Sequence, residues 1–147
     1  MSALLVWSPH LRAQEAEENP DVQAVRQVVK SMAELAQAGD LDALGELYAP
    51  GRGVHIIEGA GVNHGWQDYR EHHLEPELKE FENFSYKYYG IEPVVRGDVA
   101  WASFRYDLSA DTPRGHAEVT GRGTAILERR DGRWKVVHIH TSGRRKS

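Results

Sequence analysis

With 147 residues, 40% hydrophobic and 27% charged, the chain has the make-up of an ordinary globular protein and the length of one domain around one core. Its net charge is −4, and its basic residues are scattered except for the tail Arg144, Arg145 and Lys146, so no stripe invites a phosphate backbone and nucleic acid is excluded as a partner. The absence of cysteine removes disulfide frameworks, thiolate nucleophiles and Cys-bound zinc, and no apolar run approaches the length of a membrane span.

The chain opens on a short apolar patch, Ala3 to Trp7, followed by Leu11-Arg12-Ala13-Gln14 and the acidic Glu15 to Glu18. Residues 1–18 therefore read either as a flexible arm or as the remnant of a signal peptide that lacks its positive start. The compartment stays open between cytoplasm and export. A regular pattern begins at Asn19, a capping residue, with Pro20 at the favoured first helical position. Val22, Val25, Val28, Val29, Met32, Leu35 and Ala36 recur at helical spacing, which predicts an amphipathic helix of about five turns. Gly39 ends it, and Asp40 caps a second short helix carrying Leu41, Leu44, Leu47 and Tyr48. Val54 to Glu58 reads as a short strand; the glycines 59, 61 and 65 lead into a third helical stretch with Trp66, Tyr69, Arg70, His73 and Leu74.

After Pro76 the pattern predicts long strands at 81–95, 99–108, 116–130 and 133–141, with hairpin turns at Arg96-Gly97-Asp98 and Asp131-Gly132 and a longer loop over 110–115. Helices followed by a meander of antiparallel strands make an α+β layout in which one curved sheet wraps three N-terminal helices.

Two phrases carry a resemblance that covers about residues 21–143. AGDLDAL at 38–44 resembles the linker between the first two helices of ketosteroid isomerases and SnoaL-like polyketide cyclases. RRDGRWKVVHIHTSG at 129–143 is similar to the last hairpin of the association domain of calcium/calmodulin-dependent protein kinases and of the SnoaL-like group. The resemblance implies the cone-shaped nuclear-transport-factor-2-like fold, a SnoaL-like domain over 19–143 with a basic tail at 144–147, and a conical pocket between the helices and the concave sheet face. It also implies a homodimer or higher homo-oligomer paired through the outer sheet face, and no cofactor.

The candidate lining of that pocket is Tyr48, His55, Glu58, Trp66, Tyr69, His73, Trp101, Arg105, His138 and His140. Glu58 ends the first strand near the place where the resembling isomerases put their carboxylate base; such a group works as a proton shuttle if a donor stands opposite. Its other reading is a loop acid. Met32 falls where those isomerases carry an oxyanion tyrosine, which points away from the steroid reaction. Trp101, Ser103 and Arg105 share one strand face. Arg105 matches one pocket arginine of the kinase association domain, while the other two match Ala125 and Thr141. Inside a pocket it would bind a carboxylate ligand or pair with Glu58 or Asp107; otherwise it is an exposed strand charge.

His138 and His140 also share a face and suit proton transfer, hydrogen bonding or metal binding; no metal site is assigned, and the structural reading is preferred. If Lys135, Val137, Ile139 and Thr141 face the pocket instead, the two histidines look toward a partner. His72 and His73 point about 100° apart on a helix, and His73 is the pocket candidate of the two. Phe84, Tyr86 and Tyr88 alternate as a packing or subunit-contact stripe. Two functions compete. One is an enzyme moving a proton on a small apolar or carboxylate-bearing molecule, in the manner of isomerases and cyclases, with Glu58 or His140 as the catalytic group and Arg105, Tyr48 or His140 as donor. The other is a non-catalytic ligand-binding or oligomerisation module.

Overall fold

A computed structural model describes residues 18–147. Except for Glu18, the amino-terminal segment lies outside the described residues. The first helix, α1 (Pro20–Ala38), starts where Asn19 accepts a hydrogen bond from the Asp21 amide at 2.8 Å and stops at Gly39, whose φ of 70° lets the backbone close the last turn. Its buried stripe is Val25, Val29, Met32, Ala33 and Ala36. Burying each of the larger members contributes about 2 kcal/mol. Helix α2 (Leu41–Glu46) begins with the Asp40 carboxylate accepting from the Ala43 amide at 3.1 Å.

Strands β1 (His55–Glu58) and β2 (Gly61–His64) form a small hairpin. The glycine-rich stretch that reads as a lead into a helix is thus partly strand. Helices α3 (Trp66–Tyr69) and α4 (Glu75–Glu80) are joined by a π turn at Arg70–Leu74, so the third helical stretch continues past Pro76 to Glu80. Proline needs no amide donor in a first helical turn, and the wide turn before it has already interrupted the regular ladder.

The long strands follow: β3 (Glu82–Arg96), β4 (Val99–Thr112), β5 (Gly115–Arg130) and β6 (Arg133–Arg145). The expected loop over 110–115 contracts to a tight turn at Pro113-Arg114, in which the Thr112 hydroxyl accepts from the Arg114 amide at 3.1 Å and donates to the Gly115 carbonyl at 2.9 Å. The tail expected from residue 144 is shorter as well, because Arg144 and Arg145 stay paired with Thr120 and Val119. One open six-stranded sheet results, in the order β2-β1-β6-β5-β4-β3. All neighbours are antiparallel except β1 and β6, which run parallel. Pro93 sits in β3, an edge strand, where a missing donor is tolerated.

The sheet curves around the helices, and its inner face carries Tyr88, Ala100, Ala102, Phe104, Tyr106, Ala125, Leu127, Trp134, Val136 and Ile139, all buried. Small residues on β5 and β6 make room for large ones on β4. A Cβ at Gly123 would lie 2.3 Å from the Phe104 ring, and one at Gly121 would lie 2.5 Å from the Tyr106 ring and 2.3 Å from the Ser142 carbonyl. At one end Arg129 ties three elements together: it bonds Asp21 of α1 and Asp98 of the β3–β4 turn, each at 2.9 Å, and lies over the Trp134 ring. Among the described residues no helix is long and apolar enough to cross a membrane.

Candidate functional site

Alternation along β1 sends Ile56 and Glu58 to the inner face and leaves His55 on the outer one, where it is exposed. Glu58 thereby ends its strand at the mouth of the cone. The third helical stretch crosses that mouth, and its π turn brings Tyr69 and His73 to bear on the same carboxylate. Tyr69 donates its hydroxyl to Glu58 Oε1 at 2.6 Å, and His73 Nε2 stands 2.9 Å from Oε2. Glu77, one turn on, is 3.5 Å from the same His73 nitrogen, and Asn63 Oδ1 lies 3.1 Å from His73 Nδ1. Both ring nitrogens of His73 thus face oxygen acceptors, which suits the imidazolium.

The electrostatics agree. Burial alone would raise the proton affinity of Glu58, but the hydrogen bond and positive charge of His73 and the hydrogen bond from Tyr69 override it, and the carboxyl titrates below its ordinary 4.5. Hydrogen bonds to Glu58 and Glu77 raise His73 from 6.5 to about 10 against an opposing desolvation. Burial first, then the nearby Glu58 charge, keeps Tyr69 well above 10. At neutral pH the site therefore holds a carboxylate, an imidazolium and a neutral phenol.

A row of rings leads inward from it. Tyr69 lies 5.0 Å from His73 and 6.0 Å from Trp66, which stacks on the buried Tyr48 at 5.2 Å. Gly45 of α2 is the reason Trp66 can lie there, since a Cβ would stand 2.4 Å from the indole nitrogen. Behind Glu58 the interior is full: the space among Tyr48, Ile56, Glu58, Tyr69, Tyr88 and Thr141 is only about 10 Å³. In front of it a depression of about 340 Å³ opens among Glu58, Phe81, Tyr86, Tyr106, Leu108, Val119 and Arg145. Tyr86 and Tyr88, whose hydroxyls are 3.0 Å apart, thus belong to the inner face and not to an outer contact stripe.

Five of the ten sequence candidates gather around this mouth or along the ring row: Glu58, Tyr69, His73, Trp66 and Tyr48. The other five, His55, Trp101, Arg105, His138 and His140, lie on the outer sheet face, which corrects their expected place in the cone. For Trp101 and Arg105 the reason is that Ala100, Ala102, Phe104 and Tyr106 fill the inner register of β4. Arg105 consequently reaches neither Glu58 nor an interior ligand, and instead borders an outer groove of about 490 Å³ with Arg122, His138 and His140. On β6, Ile139 and Thr141 face inward as the alternative reading had it. Opposite the Ile126–Leu127 step of β5, β6 carries one extra residue, Val137, which shifts its phase, so that Val136 and Trp134 take the inner side in place of Val137 and Lys135.

The exposed His72, beside His73, turns out to the half-buried Asp68 at 2.9 Å. The donors expected opposite Glu58, namely Arg105, Tyr48 and His140, are replaced by Tyr69 and His73. The sequence reading assigned no role to Asn63, Glu77, Tyr106 or Arg145. The signal for Glu77 was present as its four-residue spacing from His73. Among the described residues, Glu58, His73 and Glu77 are also a set whose ligand atoms all lie within 4.8 Å of one another, a donor set of two carboxylates and one imidazole able to hold a metal ion.

Helices held in a curved open sheet, with polar side chains meeting at the mouth, define the nuclear-transport-factor-2-like class. Residues 25–144 match the SnoaL-like domain, and the chain belongs to that family. A nuclear-transport-factor-2-like protein from Salmonella enterica is 22% identical, with a TM-score of 0.72 over 85% of this chain and 94% of its own. A candidate ketosteroid isomerase from Shewanella frigidimarina is 23% identical, with a TM-score of 0.67 over 81% and 94%. A candidate calcium/calmodulin-dependent protein kinase II association domain from Xanthomonas campestris is 19% identical, with a TM-score of 0.65 over 84% and 86%. These likenesses concern the fold. No curated protein matches the chain.

Proposed function

We propose that this SnoaL-like domain binds a small, mostly apolar molecule bearing a carboxylate or carbonyl at the mouth of the cone and moves a proton on it, with Glu58 as base and His73 as acid. The observation that carries this reading is the convergence of Tyr69, Glu58 and His73 within 2.6 and 2.9 Å beside the depression walled by Phe81, Leu108 and Val119. A carboxylate holding one proton donor on each oxygen keeps further lone pairs for a substrate C–H. The imidazolium opposite supplies the positive charge that an enolate oxygen requires. Arg145 at the rim is the group for a substrate carboxylate. The interior behind Glu58 is filled, so the ligand sits in the mouth, and the chemistry occurs at the carboxylate's outer side.

The test is exchange of the α-hydrogen of small ketones and keto acids for solvent deuterium, followed by NMR. The wild type is expected to catalyse exchange, Glu58→Gln to lose roughly 100-fold or more, and Arg145→Ala to weaken keto acids more than ketones. Binding without exchange would leave a ligand-binding domain.

A second reading has its own support. The exposed large apolar side chains Val62, Val99, Trp101 and Ile126 all lie on the outer sheet face, which favours pairing with a second copy there. Light scattering of the wild type and of Trp101→Glu distinguishes a dimer held by that face from a monomer.

A further inference from the structure

On the outer face, at the end away from the cone mouth, three histidines stand side by side on three neighbouring strands. His64 of β2 pairs with His55 of β1, and His55 pairs with His138 of β6. The ring centres of His55 and His64 are 5.2 Å apart and those of His55 and His138 are 6.1 Å apart. We propose that His55, His64 and His138 form a binding site for a borderline transition-metal dication such as zinc, nickel or cobalt, separate from the site at the cone mouth.

The spacing is the first argument. With metal–nitrogen bonds of about 2.0 Å, two imidazoles on one tetrahedral ion hold their ring centres ~5 Å apart, close to the 5.2 and 6.1 Å of the row. The nitrogens do not yet converge as the ligand atoms of Glu58, His73 and Glu77 do. Rotation of the outer two side chains over the central one closes the gap, and half-exposed or exposed imidazoles rotate at little cost.

The second argument is what the rings lack. His72, His73 and His116 each have a carboxylate partner, at 2.9, 2.9 and 2.6 Å. Among the described residues His55, His64 and His138 make no side-chain hydrogen bond or ion pair. A metal needs neutral imidazole, and a row of such rings without acids is a nitrogen donor set and a poor salt-bridge surface.

The third argument is the backbone. The strand pairing fixes the three Cα positions about 4.8 Å apart in the hydrogen-bonding direction, so ordering the ligands costs side-chain rotamers only. Three protein nitrogens leave a fourth position open to water or to a small anion.

The experiment is titration of the untagged protein with cobalt and zinc ions, by visible absorption and calorimetry. The expected result is one ion per chain at micromolar affinity, with the ring signals of His55, His64 and His138 shifting together in NMR. His55→Ala, the central ligand, is expected to weaken binding at least 30-fold, and His138→Ala similarly. His116→Gln and Glu77→Gln should leave it unchanged. Residue 55 is exposed, and an unchanged melting curve for His55→Ala verifies the fold; His64→Asn is the second variant if it does not. Full affinity in His55→Ala and His138→Ala, or loss on Glu77→Gln, overturns the proposal, the latter by moving the ion to the cone mouth. Loss of α-hydrogen exchange in Glu58→Gln with cobalt binding intact separates this site from the proposed activity.

Discussion

The two faces of the sheet treat the same side chain in opposite ways. On the inner side His73 meets Glu58 and Glu77, and its proton affinity rises to about 10. On the outer side burial, then the neighbouring His55 and His140, act on His138 with no carboxylate among the causes, and its affinity falls below 6.5. The difference lies in the neighbours rather than in depth, since both rings are partly buried. A carboxylate within hydrogen-bonding reach outweighs the desolvation that both suffer. The faces differ in packing too: the inner one is filled by aromatic rings lying against glycine, while the outer one carries exposed apolar and basic groups.

The packing contrast can be broken most forcefully at adjacent positions of β5. Gly121→Val forces a side chain into the Tyr106 ring and the Ser142 carbonyl and is expected to cost about 3 kcal/mol by overpacking. Arg122→Val, one residue on and facing out, is expected to stay within about 0.5 kcal/mol of wild type. Urea denaturation of the two variants measures the contrast directly. Equal costs would mean that the inner face yields.

The charge contrast sharpens with pH. His73 has a folded proton affinity above its unfolded value of 6.5, so its contribution is complete below 6.5 and disappears as pH rises through about 10. Glu58, held below 4.5, contributes above that value and loses its contribution as pH falls. The pair is therefore most stabilising between 4.5 and 6.5. His73→Gln is expected to cost about 2 kcal/mol near pH 6, given that breaking one side of a more deeply buried pair costs more, and the deficit should shrink steadily above 6.5. Denaturation at a series of pH values reads it; a deficit that does not change with pH would make His73 a packing residue only.

The smallest effect is spectroscopic. In NMR titrations the His138 ring should change protonation below 6.5 while His73 stays charged through neutrality. Titration of both in one range would erase the distinction between the faces.

Much of the local structure was legible in the chain. The caps Asn19 and Asp40, the glycine stop at 39 and the apolar stripe of α1 are interactions between residues a few positions apart, and such short-range terms can be read in order. The turns before Val99 and Arg133 were legible for the same reason. Strand β2 was not, because its edge position rests on backbone pairing with β1 more than on apolar residues. Nor was the continuation through Pro76, since a π turn leaves no mark in apolar spacing.

The site divides in the same way. Glu58, Tyr69 and His73 were candidates by residue type and place, but their meeting depended on a helix crossing the end of a distant strand. Alternation showed that Trp101 shares a face with Arg105, and His138 with His140. It could not show which face is inner, because either side of β4 offers an aromatic residue. That was decided by volume across strands: only Ala100, Ala102, Phe104 and Tyr106 fit against Gly121, Gly123 and Ala125, with a curved sheet closing over them. The sequence by itself thus determined the α+β order of elements and the residue types available for chemistry. The tertiary structure alone decided that Glu58 meets Tyr69 and His73, because that proximity arises from packing between separate elements of the chain.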